Sequence, residues 1–256
     1  MATLDARWAP FLTVPAAAAV LCDFDGTLAP IVEVPELAKP LDGVTELLGA
    51  LAARFGVVAV VSGRPVTFLQ RFLPASVALS GLYGLEVVRE GRREDHPLGG
   101  AWREVVDDVV ATSRASGPAG MRVEPKGLSL TLHFRGAPML EPEVREWAER
   151  EARRSGLAVR SARMSLELHP PIAADKGTAV RDLAASCRAV CFLGDDSGDL
   201  PAFDALDELA ASGVAAMRVG VRSEEAPPEL LGRADVVVDG PVGVAALLAS
   251  LLRTEA

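Results

Sequence analysis

The fold of this chain is decided by Ala17-Ala-Ala-Val-Leu-Cys-Asp-Phe-Asp-Gly-Thr-Leu28. The first half of this stretch is a continuous apolar run, which predicts a strand of a parallel sheet that is buried on both faces. Two carboxylates, Asp23 and Asp25, follow directly, and Gly26 relaxes the backbone after them. Because ligands of open α/β sheets bind at the carboxyl ends of the strands, the stretch predicts an acidic site at that edge.

Apolar runs alternate with helical patterns on both sides of this strand. The runs that predict further buried strands cover residues 57–61, 189–193, 214–221 and 234–238. Apolar residues at helical spacing cover residues 41–54, 66–72, 177–187 and 242–252. This order of elements predicts an α/β fold with a parallel sheet and helices on both of its faces.

The middle of the chain has a different pattern. Two stretches that alternate like half-exposed strands and two helical stretches cover residues 122–134, 158–168, 102–113 and 141–154. Together they form a small α+β unit that interrupts the parallel-sheet pattern. We therefore predict a core domain formed by residues 1–96 and 172–256, with an inserted α/β domain over 97–171.

The composition limits the classes to which the protein can belong. The chain has 256 residues, half of them hydrophobic, and a formal net charge of −9 with no run of Lys and Arg, so we expect no nucleic-acid partner. Its three cysteines form no spaced framework, which indicates a reducing compartment. The apolar segment 11–22 ends in Asp-Phe-Asp-Gly and not in a cleavage site, and no uncharged apolar run reaches the roughly 18 residues of a membrane span. We expect a soluble, cytoplasmic protein without a membrane partner.

Three more groups of polar residues stand beside predicted strands or helices. Ser62-Gly-Arg64 ends the second strand, Lys176 opens a helix, and Gly194-Asp-Asp-Ser-Gly-Asp199 follows the third strand. Taken singly, each has a simpler explanation: a generic turn, a surface lysine, or aspartates that cap helices. Asp-x-Asp alone is also a metal motif of glycosyltransferases. Together with Asp23-Phe-Asp-Gly-Thr-Leu28, and in this order, the groups resemble the four motifs of the haloacid dehalogenase superfamily.

This resemblance implies a phosphatase that forms an aspartyl-phosphate intermediate. Asp23 would be the nucleophile, and Asp25 would be the general acid and then the general base. Lys176 would place a positive charge beside the phosphate, assisted by the positive end of its helix. Ser62 would hold the transferring phosphoryl group, and Gly63-Arg64 would bind substrate.

The same resemblance implies Mg²⁺ as the cofactor. A phosphate dianion must approach the Asp23 carboxylate, and the two like charges repel each other. A hard cation that prefers oxygen ligands offsets this repulsion. Its ligands would be the Asp23 and Asp195 carboxylates and the Asp25 main-chain carbonyl. Asp196 and Asp199 would lie behind them and orient the motif lysine and metal-bound water.

The inserted region carries a closer resemblance. Trehalose-6-phosphate phosphatases are similar to this chain in Val123-Glu-Pro-Lys-Gly-Leu-Ser-Leu-Thr-Leu-His-Phe-Arg135 and Leu166-Glu-Leu-His-Pro-Pro171. With the motif aspartates, the similarity runs from about Val20 to about Ala205. The family implies a Rossmann-like core, an α/β cap of the C2 type inserted between the second and third motifs, and trehalose 6-phosphate as the substrate.

In that family the cap binds the sugar. The corresponding residues here are Glu124, Lys126 and Glu167, in which carboxylates accept from paired hydroxyls and the lysine donates. Without the resemblance, a surface charge pair between Lys126 and either glutamate would be the preferred explanation. The chain also departs from the family, because Tyr83 stands where His is frequent and Gly198-Asp-Leu200 stands where Thr-Asp-Glu is frequent.

Several alternatives stay open on the sequence. The substrate could be another sugar phosphate, such as sucrose phosphate or a glucosyl-glycerate phosphate, and a phosphomutase is a more distant alternative. A sugar-phosphate sensor without catalysis, or a purely structural protein, would not need Asp23, Asp25 and Lys176 together. The length leaves no room for a fused synthase domain, so we expect a separate trehalose-phosphate synthase to supply the substrate.

Overall fold

A computed structural model describes residues 6–32, 34–162, 164–223 and 226–253. Its strands are β1 (Ala18–Cys22), β2 (Val57–Val61), β3 (Ala78–Gly81), β4 (Glu86–Arg89), β5 (Arg92–Asp95), β6 (Arg122–Pro125), β7 (Leu130–His133), β8 (Ala158–Ala162), β9 (Ser165–His169), β10 (Ala189–Gly194), β11 (Ala215–Arg222) and β12 (Val236–Asp239). Its α-helices are α1 (Ala9–Thr13), α2 (Val44–Ala52), α3 (Val66–Leu69), α4 (Arg103–Ser116), α5 (Glu141–Ser155), α6 (Lys176–Leu183), α7 (Leu200–Ala211), α8 (Pro228–Arg233) and α9 (Gly240–Leu252).

The chain divides into two compact units. The core unit consists of Met1–Glu94 and Ala174–Ala256, and the inserted unit, named the cap unit after the family resemblance, is Asp95–Ala173. The core unit contains an eight-stranded sheet in the order β12-β11-β10-β1-β2-β3-β4-β5. Neighbours from β12 to β3 pair in parallel, whereas β4 is antiparallel to β3. The predicted α/β class is therefore confirmed, and the sheet has an antiparallel extension that the sequence patterns did not indicate.

Helices cover both faces of the core sheet because its central strands are apolar on both sides. In β1, Ala18, Val20 and Cys22 join a cluster with α2 and α9, while Ala19 and Leu21 join a second cluster with α6 and α7. All five residues are fully buried, as expected for a central parallel strand. In the described ranges, the helices are each too short or too polar to span a lipid bilayer.

The register of the central strands brings three loops to one edge of the sheet. Cys22 on β1 pairs with Val60 on β2 and with Leu193 on β10. The chain therefore leaves these strands at nearly the same level, immediately before Asp23, Ser62 and the aspartates that follow Gly194. Residues far apart in sequence meet here because parallel strands end together.

The cap unit is an antiparallel sheet in the order β6-β7-β9-β8 with two helices. One face of the sheet is apolar, with Leu130, Leu132, Leu166 and Leu168 in a cluster with residues of α4 and α5. The indole of Trp147 on α5 donates to Ser113 Oγ on α4 at 3.0 Å, which satisfies its one polar group within the apolar layer. This burial is what stabilises the unit.

Each of the two strand-rich stretches of the inserted region is a hairpin. Residues 122–134 form β6 and β7, and residues 158–168 lie in β8 and β9. The turns contain Gly127 at φ +87° and Met164 at φ +53°. The apolar alternation changes phase at each turn, because Val123 and Leu128, and likewise Val159 and Met164, are an odd number of residues apart.

Candidate active site

A buried ion-pair cluster lies at the carboxyl edge of the core sheet. The Lys176 ammonium donates to Asp23 Oδ1 at 2.7 Å and to Asp199 Oδ1 at 2.6 Å. All three side chains are buried. Lys176 is the first residue of α6, whose N-terminus is fixed by a capping box in which Asp175 accepts from the Thr178 N–H at 2.7 Å. The lysine is thus held rigidly at the end of β1, as the motif order implies.

Asp199 orients its neighbours through both carboxylate oxygens. Its Oδ1 accepts from Lys176, and its Oδ2 accepts from the backbone N–H groups of Asp195 at 2.8 Å and Asp196 at 3.1 Å. A carboxylate so engaged fixes the loop after β10 and aims the lysine at Asp23. These contacts agree with the supporting role that the resemblance implies for Asp199.

Asp195 is buried beside the loop that follows β1. Its Oδ2 accepts from Ser223 Oγ at 2.9 Å, and Thr27 Oγ1 lies 3.4 Å from its Oδ1. Gly26 passes so close that a Cβ there would lie 2.1 Å from Asp195 Oδ2, and its φ is +80°. This close approach explains why glycine follows the two motif carboxylates. Ser223 is a contact that the sequence patterns did not single out, although it follows the predicted strand beside β10.

Asp23, Asp195 and Asp199 form a cluster that can hold a cation. Each offers a carboxylate oxygen, and these oxygens all lie within 4.8 Å of one another. Asp199 accepts from the Lys176 ammonium and from two backbone N–H groups, whereas Asp195 accepts from hydroxyl groups, which can rotate away. Asp23 and Asp195 are therefore the better ligands. Three carboxylates and one ammonium leave excess negative charge in a buried place, and oxygen ligands of this kind fit a hard divalent cation. The residues present therefore fit the implied metal.

The acidity of the cluster reflects its burial. Burial raises the pKa of Asp23 well above its usual range, against the opposing effect of Lys176. Burial and the negative charges of Asp199 and Asp196 raise the pKa of Asp195 to about 7, and burial raises that of Asp199 to about 6 despite the adjacent Lys176. For Lys176, burial lowers the pKa, but Asp199 and Asp23 outweigh it and hold the net pKa well above the usual value. The lysine is therefore a permanent cation.

Arg64 binds the second motif carboxylate. Its Nε and Nη2 donate to Asp25 Oδ2 and Oδ1, each at 2.7 Å, in a bidentate pair. The guanidinium also lies over the Phe68 ring, 4.5 Å from its centroid, and the Arg64 backbone N–H donates to the buried Ser62 Oγ at 3.1 Å. The structure thus brings the Arg64 side chain to Asp25 and the Ser62 hydroxyl to the Arg64 backbone. The substrate-binding role of Arg64 stays a prediction.

Tyr83 lies against the second motif loop. A Cβ on Gly63 would lie 2.7 Å from Tyr83 Oη, so only glycine leaves room for the phenol. The backbone of Tyr83 is left-handed, at φ +59°, and its N–H donates to the Ser62 carbonyl at 3.1 Å. Tyr83 also raises the pKa of Lys176. The residue at which the chain departs from its family is therefore part of the site.

Asp196 has a more local role than the sequence suggests. Its Oδ1 accepts from the Gly198 N–H at 2.8 Å, and it forms a capping box with Asp199 at the start of a short 3-10 turn. Asp196 also acts on Lys176 electrostatically, because its negative charge helps to raise the pKa of that lysine. The helix-cap interpretation thus describes the contacts of Asp196 best.

The three predicted sugar-binding residues lie on the cap unit. Glu124 on β6 is cross-strand from Thr131 on β7, and Thr131 is cross-strand from Glu167 on β9. Glu124 Oε2 lies 2.7 Å from His133 Nε2, and the buried Glu167 accepts from Ser129 Oγ at 2.7 Å. The half-buried Lys126 lies in the turn after β6. The two glutamates therefore share one face of the sheet, which is opposite to the face that packs on α4 and α5.

Comparison with known proteins decides the family. The model of the family described as Trehalose-phosphatase matches residues 21–229. The chain belongs to the trehalose-phosphatase family. This confirms the resemblance inferred from the motifs.

Curated relatives and a solved structure agree with the family. The chain is 34% identical over 218 residues to a trehalose-phosphate phosphatase of Mycobacterium ulcerans, covering 80% of this chain and 55% of the relative. It is 32% identical over 200 residues to a trehalose-6-phosphate phosphatase-related protein of Thermoplasma acidophilum, covering 74% of this chain and 82% of the relative. A crystal structure of a trehalose-6-phosphate phosphatase related protein superposes with a TM-score of 0.78 and 26% identity, over 92% of this chain and 96% of that chain. The chain spans about half the length of the mycobacterial relative.

Proposed function

We propose that this chain is a Mg²⁺-dependent phosphatase that hydrolyses trehalose 6-phosphate to trehalose and inorganic phosphate. The observation that supports this most directly is the buried contact between Lys176 and Asp23, with Asp195 close enough to share a cation. Such a cluster places a nucleophile, a permanent positive charge and a metal site within one phosphate's reach. Membership of the trehalose-phosphatase family supports the substrate.

In the first half of the reaction, a carboxylate oxygen of Asp23 attacks phosphorus, and the bond from phosphorus to the sugar oxygen breaks. Asp25 gives a proton to the departing sugar oxygen. Lys176 and donors of the Ser62-Gly63 loop hold the transferring phosphoryl group. The product of this half is free trehalose and a phosphorylated Asp23.

In the second half, Asp25 takes a proton from a water that attacks the phosphorus of the aspartyl-phosphate, and the bond to Asp23 breaks with release of phosphate. The bidentate contact with Arg64 leaves each oxygen of Asp25 with a lone pair for that proton. We therefore assign Arg64 the task of orienting Asp25, alongside the substrate binding that its motif implies.

The metal enters this scheme as a charge-neutralising group. The Asp23 and Asp195 carboxylates, with the Asp25 main-chain carbonyl, would hold it. When bound, Mg²⁺ supplies positive charge that offsets the repulsion between the phosphate dianion and Asp23. Asp199 and Ser223 serve this site by fixing the loop and the carboxylate of Asp195.

We assign the choice of sugar to Glu124, Lys126 and Glu167 on the cap unit. Two carboxylates on one sheet face can accept from pairs of sugar hydroxyls, and an ammonium can donate to sugar oxygens. The three free, buried cysteines fit a reducing compartment. We therefore propose that the enzyme works in the cytoplasm.

A phosphate-release screen over a panel of sugar phosphates, with Mg²⁺ and with a chelator, tests the proposal. We expect the highest kcat/KM for trehalose 6-phosphate, loss of activity on chelation, and recovery on adding Mg²⁺. A wide preference for sucrose phosphate or a glucosyl-glycerate phosphate would refute the substrate but not the mechanism. Full activity after exhaustive chelation would refute the role of the metal.

A further inference from the structure

The polar face of the cap sheet is organised in rows. Because cross-strand neighbours in an antiparallel pair point to the same side, Glu124, Thr131, Glu167 and Arg160 form one row across the four strands. His133 and Ser165 form part of the next row. The leucines that alternate with these residues pack on α4 and α5, so the rows occupy the opposite face.

Thr131 occupies the middle of the first row, and its hydroxyl differs from the polar groups beside it in that row. The residue is 4% exposed, and among the described residues its Oγ1 has no hydrogen-bond partner. Its neighbours on the same face are engaged, Glu124 with His133 and Glu167 with Ser129.

The fold gives no reason for a threonine at this position. A buried hydroxyl without a partner destabilises a protein. Valine has a similar shape, has a high preference for strands and carries no polar atom. A threonine that destabilises the free protein is explained if its hydroxyl gains a hydrogen-bond partner when a ligand binds.

We infer that Thr131 is a specificity-determining residue whose hydroxyl binds the sugar. The inference rests on the proposed function, in which Glu124 and Glu167 accept from sugar hydroxyls. These glutamates lie on the strands either side of β7, so their backbones are about 10 Å apart, or two strand spacings. A sugar that reaches both carboxylates passes over Thr131.

The chemistry of the row also favours this assignment. Ionised carboxylates only accept hydrogen bonds, whereas a threonine hydroxyl both donates and accepts. A sugar oxygen whose proton is given to Glu124 or Glu167 still has lone pairs to satisfy. Thr131 supplies a donor between the two acceptors, where such an oxygen would lie.

Thr131→Val tests the inference, with Thr131→Ser as the matched control that keeps the hydroxyl. We expect Thr131→Val to lower kcat/KM for trehalose 6-phosphate about 5- to 10-fold, the value of one neutral hydrogen bond. Hydrolysis of p-nitrophenyl phosphate, which has no sugar, should stay within about twofold. The melting temperature without ligand should be unchanged or higher, since a buried unpaired hydroxyl is removed. Thr131→Ser should retain wild-type preference for the sugar phosphate.

Three outcomes would overturn the inference. They are an unchanged kcat/KM for trehalose 6-phosphate in Thr131→Val, an equal loss with both substrates, and a lowered melting temperature that reveals a structural partner of the hydroxyl. Failure of the proposed substrate is a separate result, seen in the wild type. If the wild type prefers another sugar phosphate, the same comparison of variants with that compound decides the role of Thr131.

Discussion

The core and cap units treat their charged side chains differently. In the core unit, charges pair with charges: Lys176 with Asp23 and Asp199, and Arg64 with Asp25. On the polar face of the cap unit, Glu167 is bonded to a neutral serine, Glu124 lies against His133, and Thr131 has no partner in the described part of the chain. A set of permanent charges suits a ligand of fixed charge, such as phosphate with its metal. A set of hydroxyls and carboxylates suits neutral hydroxyl groups. The difference predicts that substitutions at the core site lower activity on every phosphate ester. Substitutions on the polar face of the cap unit should lower activity on the sugar phosphate alone.

The largest effect should come from the nucleophile in the core unit. Asp23→Asn removes nucleophilicity with little change of shape, so we expect turnover to fall by at least about 10³-fold on every phosphate ester. Phosphate-release assays measure the loss, and a beryllium fluoride complex should form on wild type only. Asp182→Asn, at an exposed aspartate of α6, is the control and should be neutral. Turnover by Asp23→Asn above a few per cent of wild type would exclude Asp23 as the nucleophile.

A cap substitution should have a smaller and selective effect. Glu167→Gln keeps an oxygen for Ser129 but loses the charge, so charge-assisted bonds to sugar hydroxyls weaken. The loss of one such bond, about 1.5–3 kcal/mol, lowers kcat/KM for trehalose 6-phosphate by about 10- to 200-fold. Hydrolysis of p-nitrophenyl phosphate should barely change.

Two controls sharpen this contrast between the units. Glu149→Gln, at an exposed glutamate of the cap helix α5, should leave both substrates unaffected. Lys176→Ala should reduce both substrates alike, because it removes a charge that every phosphate ester needs. If Glu167→Gln reduced both substrates equally, the sugar-binding role of the cap face would be wrong.

Stability should depend jointly on pH and on Mg²⁺. Asp195 and Asp199 have raised pKa values, about 7 and about 6, in the folded chain. Without metal, these two carboxyl groups bind more protons in the folded chain than in the unfolded chain. Their contribution to the free energy of unfolding is therefore present at low pH and is lost as pH rises through 6 and 7. A cation that binds the ionised carboxylates should restore it.

Thermal unfolding with and without Mg²⁺ measures this coupling. At pH about 8 and Mg²⁺ at 100 times its Kd, stabilisation of about 2.7 kcal/mol should raise the Tm by roughly 5–10 °C. Near pH 5 the shift should be much smaller, because protons compete for the same carboxylates. Asp195→Asn should abolish the Mg²⁺-dependent part. An equal Mg²⁺ shift at both pH values would contradict the site.

The sequence predicts features that have a local pattern and misses those that do not. The central strands and the four motifs were visible because apolar runs end in polar residues of defined type. The residues of β5 are exposed and charged, so no apolar pattern marks this strand. The contact of Ser223 with Asp195 and the pairing of Arg64 with Asp25 join residues from different loops. They depend on strand order and register, which a single sequence does not give.

The smallest effect concerns Asp196, where the core unit offers both a structural and an electrostatic explanation. Its carboxylate caps a 3-10 turn, yet its charge also raises the pKa of Lys176. Asp196→Ser keeps an oxygen that can cap the turn but removes the charge, whereas Asp196→Ala removes both. If the cap is the main role, Asp196→Ser should keep kcat/KM within about threefold on both substrates. Asp196→Ala should then lower the free energy of unfolding by about 1 kcal/mol. A loss above about tenfold in Asp196→Ser, with an unchanged Tm, would show instead that the charge on Lys176 depends on Asp196.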